Sequence, residues 1–273
     1  MSSFFASLVL ALAVFAPVSA RAYVRTTIPG GAALHWSSRC ATFAPAISAD
    51  AEIGDTVARA IASWNLDACS AMPFAVDEDT RPTTVGHDQI NAILWRTDGC
   101  DEEDPTPLCD VPNAAAVTTI LYDDAGEIVE VDIELDARAF LATGIDLDGV
   151  VTHELGHALG LDHACSVIPG LAPDDHLGVP SPACSDPRAR EAEIRWATMY
   201  PVSAPGETFK RDPLDEERAG LCSIYGAHDG ACTRSRGCAS SSPGVAAVPF
   251  LVLAAILRRR RRASVACTRR PSR

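Results

Sequence analysis

Apolar and polar residues repeat with two different periods along this chain. Ile53, Val57, Ile61 and Trp64 recur at i, i+4, i+8 and i+11, which lines one face of a helix over about 49–66 with Ser48 as its N-cap. Val131, Ile133 and Leu135 alternate with Asp132, Glu134 and Asp136, the period of a half-buried strand. Strands over 117–122 and 127–135 then form a hairpin around Asp123-Asp124-Ala125-Gly126, where Gly126 can take the positive φ of a tight turn. Shorter strands are predicted over 33–36, 74–76 and 90–95. A second helix is predicted over 149–159, capped by Asp148, with Val150, Val151, Leu155, Ala158 and Leu159 turned to the sheet. A Pro- and charge-rich stretch leads to Arg195, and a last helix spans 214–225. Mixed helices and strands followed by helices imply an α+β domain over 23–226, without internal repeats.

The two ends carry patterns of another kind. An apolar run from Phe4 to Phe15 is followed by small residues and Ala20-Arg21-Ala22, which predicts a signal peptide over 1–22. At the other end, a linker over 227–244 contains Gly237-Cys238. Residues 245–262 combine an apolar stretch, Val245 to Leu257, with five arginines, Arg258 to Arg262, and 263–273 form an extension. Thirteen helical residues would cover about 20 Å, less than the roughly 30 Å of a bilayer core. Arginines after the apolar stretch would hold that end in the cytoplasm and leave the body outside.

Charge narrows the partners. All 36 Asp and Glu lie between Asp50 and Asp229. Of the 23 Lys and Arg, eight fall from Arg258 onward and one is Arg21, leaving 14 bases against 36 acids in the body. So acidic a body excludes nucleic-acid binding by phosphate neutralisation. Ten cysteines in an exported chain imply disulfides. Eight belong to the body, and sequential pairing predicts 40–69, 100–109, 165–184 and 222–232.

The chemistry is concentrated in residues 153–163, His-Glu-Leu-Gly-His-Ala-Leu-Gly-Leu-Asp-His. His153 and His157 stack on one helical face. Gly160 lets the chain turn so that His163 returns as a third ligand. Three neutral imidazoles at roughly 2.0–2.1 Å suit Zn2+ and leave a position for water. Glu154 stands beside the first ligand as the general base. Calcium is a softer reading. Asp101 to Asp104 with Asp110, and Asp146 with Asp148, suit either Ca2+ or plain solvation, and no ligands are assigned.

Thirty-six residues after His163 stands Met199, within Ala197-Thr198-Met199-Tyr200-Pro201. With the 153–163 motif, this chain resembles the matrixin-type zinc metalloproteases of the metzincin superfamily. Trp64-Asn65, Val131 to Leu135 and Ala219 to Gly226 extend the resemblance over most of 33–226. It implies a twisted, mixed, five-stranded sheet with two long helices and a small C-terminal subdomain. Met199 would form a turn beneath the metal, continued by Tyr200. Residues 117–122 would be the antiparallel edge strand beside the cleft, open to an extended peptide, and about 201–209 would wall the S1′ pocket. The implied activity is hydrolysis of peptide bonds in protein or peptide substrates. A metzincin-like surface adhesion protein without turnover is the alternative, and the presence of Glu154 favours turnover.

The chain departs from that family in lacking a cysteine-bearing propeptide between Tyr23 and the first strand. With only His35 and His87 available before the zinc helix, no second zinc is expected, and His176 reads as a loop residue. The tail resembles the MYXO-CTERM sorting signal of myxobacterial surface proteins. That resemblance implies membrane attachment through the tail, a sorting protease acting near Cys238, and display at the cell surface. A plain single-pass anchor is the alternative.

Overall fold

The computed structural model describes residues 23–226 and 246–253, apart from 30, 38–39, 47–50, 65–73, 78–83, 98–105, 112, 169–179 and 191. In chain order its elements are β1 (Val24–Arg25), β2 (Ala41–Ala46), α1 (Ala51–Trp64), β3 (Phe74–Val76), β4 (Asn91–Arg96), β5 (Ala114–Tyr122), β6 (Ile128–Asp136), α2 (Ala137–Thr143), α3 (Leu147–Ala158), β7 (Leu161–Asp162), α4 (Ala192–Arg195), α5 (Asp215–Tyr225) and β8 (Ala246–Leu253). The class is mixed α+β, as the pattern of elements implies.

The expected hairpin forms between β5 and β6, with Thr118 opposite Ile133 and Ile120 opposite Val131. Gly126 has φ 84°, and a Cβ there would lie 2.9 Å from the Ala33 carbonyl oxygen, so the turn needs glycine on both counts. Parallel neighbours β4, β2 and β3 continue the sheet beyond β6. The full order is β3-β2-β4-β6-β5-β8.

That order corrects two expectations. The sheet has six strands rather than five, and β5 is not its edge, because β8 pairs antiparallel along it from Ala114–Leu253 to Tyr122–Ala246. An unpaired strand presents a row of N–H and C=O groups, and a segment rich in Val, Phe and Leu can satisfy them. Hydropathy alone reads the same residues as a short helix for a membrane. No helix among the described residues is long and apolar enough to cross one.

The apolar face of α1 forms as patterned, with Ile53, Val57, Ile61 and Trp64 buried against α3 and the sheet. Val150, Val151, Leu155, Ala158 and Leu159 of α3 share this core with Val131, Ile133 and Leu135 of β6. The other face of β6 departs from the half-buried pattern, because Glu130, Asp132 and Glu134 are buried too. Loops lie over them, held by backbone N–H groups. Asp132 accepts from Gly86 and Ala92, each at 3.0 Å, Glu134 from Leu108 at 3.1 Å, and Glu130 from Gln89.

Smaller departures are local. Residues 33–36 make isolated bridges, Thr27–Ala33 and His35–Glu127, rather than a strand. β2, α2 and α4 have no counterpart in the sequence pattern. The cap of α3 is Asp146, whose side chain accepts from Gly149 N at 2.8 Å, whereas Asp148 lies in the first turn. Asp146 and Asp148 are also engaged by guanidinium groups, from Arg211 and Arg59. The expected cap Ser48, the 1–22 signal, Asn65, Asp101 to Asp104, His176, Cys238 and the Arg258 to Arg262 cluster lie outside the described residues.

A second, smaller core gathers Ala164, Cys165, Ala189, Ile194, Ala197 and Tyr200. Its disulfide, Cys165–Cys184, is one of the four expected pairs. Cys40, Cys109 and Cys222 are disulfide-bonded as well. The expected pairs 40–69, 100–109 and 222–232 each include a cysteine outside the described residues.

Candidate metal centre

Three aromatic donors grip the carbonyls of the helix that carries the motif. Trp64 Nε1 donates to Thr152 O (2.8 Å), Trp36 Nε1 to Ala158 O (2.7 Å) and the Tyr225 hydroxyl to Leu159 O (2.8 Å). The last two satisfy carbonyls that a helix end leaves without intrahelical partners. Gly160 follows in the left-handed region, φ 86°, and a Cβ there would meet Leu34 O at 2.6 Å. After this turn β7 pairs with β1, which returns the chain so that His163 faces the helix.

The three histidines expected to act together do come together. Their Nε2 atoms converge, 3.1 Å apart for His153–His157 and 3.2 Å for His157–His163, and the ligand-capable atoms of all three lie within 4.8 Å of one another. The tautomers follow from their outer partners. His153 Nδ1 is 2.6 Å from Thr198 O, and His157 Nδ1 is 2.8 Å from Leu161 O. A carbonyl oxygen only accepts, so each Nδ1 is the N–H donor and each Nε2 presents a lone pair. Burial keeps both rings neutral, pushing His157 down to about 4 and His153 well below its ordinary value.

Two lone pairs facing each other at 3.1 Å repel unless a cation lies between them. Tetrahedral ligands at roughly 2.0–2.1 Å from a zinc ion stand about 3.3 Å apart, close to the observed separations. The group is therefore one that could hold a metal ion.

Glu154, next in sequence to His153, is fully buried. Its Oε2 accepts a 2.5 Å hydrogen bond from Thr118 Oγ1 on β5, while Oε1 has no hydrogen-bond partner among the described residues. Burial raises the carboxyl to about 8, and the Thr118 bond opposes that shift. Thr118 lies 36 residues away on another element, and nothing in the local motif points to it.

Met199 packs against α3 at Gly156. A Cβ on Gly156 would lie 2.3 Å from Met199 Sδ and 3.1 Å from a Trp64 ring carbon, so only glycine admits this approach. The Met199 turn is held by Glu217 of α5, whose buried carboxylate accepts from Met199 N (2.7 Å), Thr198 N (3.1 Å) and Leu214 N (2.8 Å). Because the Thr198 carbonyl also receives His153 Nδ1, Glu217 reaches a histidine of the cluster through one residue. Tyr200 lies in the smaller core instead. Its carbonyl accepts from the buried Lys210 Nζ at 2.7 Å, and its ring lies 4.9 Å from the Arg195 guanidinium. Lys210 Nζ also donates to Val202 O (2.6 Å) and Ser203 Oγ (3.1 Å), which fixes the start of the 201–209 segment.

No protein-family model matches this chain, and no curated protein matches it. The functional reading therefore rests on the residues and their geometry.

Proposed function

We propose that this chain is a zinc-dependent endopeptidase of the matrixin type. The observation that carries the reading is the convergence of three imidazole Nε2 atoms, two of them from the helix that also carries the buried Glu154 carboxylate. Zinc held by His153, His157 and His163 would supply a Lewis acid that polarises a peptide carbonyl and acidifies a water.

The chain's own residues do the rest. Glu154 takes the proton of the attacking water on Oε1, the oxygen without a partner among the described residues, while Thr118 holds Oε2 in place. The same carboxyl then passes the proton to the departing amine. Thr198 and Leu161 carbonyls orient the imidazoles, as hydrogen-bond partners behind metal ligands commonly do. β5 brings main-chain donors and acceptors beside Glu154, of the kind an extended peptide uses, although β8 pairs with them in this structure. The Gly160 turn and the seat of Met199 on Gly156 support the matrixin resemblance. Residues 201–209 are the proposed S1′ wall.

Export fits the same picture. Signal-like residues 1–22 would deliver the chain, and Cys165–Cys184 suits an oxidising compartment. The tail would attach it to a membrane until a sorting protease acts near Cys238.

The test is metal content by plasma mass spectrometry together with peptide-library cleavage, with and without a chelator. One zinc per chain and chelator-sensitive cleavage are expected. Glu154→Gln should keep the zinc and lose about 10²- to 10⁴-fold in turnover. Zinc retained with no cleavage of any peptide, even by a chain whose β8 pairing has been disrupted, would favour the surface-binding alternative.

A further inference from the structure

β8 runs where a peptide would have to lie. It pairs antiparallel with β5 along its whole length and places Phe250 opposite Thr118, the residue bonded to Glu154. β8 also lies alongside α3, the helix of the histidine cluster. With β8 in place, His153, Glu154 and His157 are at most 1% exposed. A main chain added to β5 needs the row of N–H and C=O groups that β8 already uses, so the two occupants exclude each other.

We propose that β8 is an intramolecular inhibitor strand: this segment of the chain fills the peptide-binding edge of its own site, and substrate enters only after β8 leaves. The inference rests on the endopeptidase reading for what the edge serves, and on backbone pairing for what fills it. Two features make the strand removable. Pro249 has no N–H to give to a neighbouring strand. The same apolar residues form the core of the tail's 245–257 stretch, so a bilayer competes with the sheet for them, and cutting the linker before Ala246 would release them. Latency would then need no propeptide cysteine.

The experiment uses the full chain and a full-chain variant, Leu251→Pro with Val252→Pro. Amides of adjacent strand residues point to opposite sides, so one of the two removed N–H groups faces β5 whichever way β8 is turned. The probe is a fluorescein-labelled synthetic peptide of the 246–253 sequence with a terminal lysine for solubility, read by anisotropy. The variant should bind it at least ten-fold more tightly than the wild type. It should also hydrolyse an extended peptide with at least ten-fold higher kcat/KM. Equal probe binding by the two chains overturns the proposal, as does wild-type hydrolysis as fast as that of the variant. Tighter probe binding without hydrolysis by either chain leaves the strand exchange standing and defeats the endopeptidase reading.

Should the variant fail to fold, hydrogen exchange on the wild type decides. Every amide over 114–122 should exchange slowly, because β6 takes one set and β8 the other. Fast exchange at alternate positions would show the edge uncovered and overturn the proposal.

Discussion

Thr118 Oγ1 stands 2.5 Å from Glu154 Oε2, and among the described residues this is the one hydrogen bond that reaches the carboxylate oxygens of a fully buried glutamate. A hydrogen bond to a charged group contributes about 1.5–3 kcal/mol, which corresponds to roughly a 10- to 100-fold change in rate if it holds the base in its working position. Thr118→Val should therefore lower kcat by that factor with KM little changed, and Thr118→Ser should restore most of it. Steady-state kinetics on both variants check this. Equal loss in the two would assign Thr118 to packing.

Gly156 and Met199 are coupled by contact. Gly156→Ala forces its Cβ into the sulfur, and overpacking of this kind costs about 1–3 kcal/mol. Adding Met199→Ala should recover part of that loss, because it removes the atoms that clash. Urea unfolding of the two single variants and the double gives the interaction energy directly. Additive effects would mean that the backbone had moved instead.

Glu217→Gln tests the support behind the metal site. Gln offers one acceptor oxygen, which can keep either the Thr198 and Leu214 N–H groups or that of Met199, while its NH2 group faces and repels the donors on the other side. A destabilisation of about 2–4 kcal/mol is expected from losing bonds to a buried charge. Zinc affinity should also drop about 10- to 100-fold, because the Thr198 carbonyl that orients His153 is no longer fixed. Competition with a chromogenic chelator measures it. Unchanged affinity in a folded variant would uncouple the turn from the ligand.

The buried carboxylates of β6 set a pH dependence. Burial raises Glu130 and Asp132 to about 7. The native chain thus holds these protons more tightly than the unfolded chain, whose carboxyls titrate near 4. Their contribution is fully present below about pH 4 and is lost as pH rises toward 7. The unfolding midpoint should fall from pH 5 to pH 8. Glu130→Gln should flatten that slope and exceed the wild type at pH 8, since the amide oxygen can keep the Gln89 N–H while the buried charge is gone. Calorimetry across this range decides. A midpoint that rises with pH would reverse the sign.

The histidine cluster is legible because its three members sit within eleven residues, and helical spacing plus one glycine turn is enough to converge them. Thr118 and Glu217 are not, since each reaches the site from a distant element and carries no local signature. The outer face of β6 departs from the half-buried pattern for a related reason. Alternation shows which side chains face the core helices but not that loops cover the other side. β2 hid because Ala41 to Ala46 contains Pro45 and no alternation. The caps Asp146 and Asp148 are two residues apart and equally plausible in sequence, and only the bond to Gly149 separates them. β8 was invisible as a strand because hydropathy says how apolar a segment is and not which partner it will bury against.

The disulfide just beyond His163 does not act alone. Cys165–Cys184 is reinforced by Ser166 N to Pro182 O (2.9 Å) and Cys184 N to Ser166 O (2.8 Å), so the neck of the intervening stretch is tied three times. Reducing the disulfide would leave both backbone bonds in place, so the chain just after His163 stays tied to Pro182 and Cys184 without its covalent link. The position of His163 therefore does not hang on the redox state of one cystine alone.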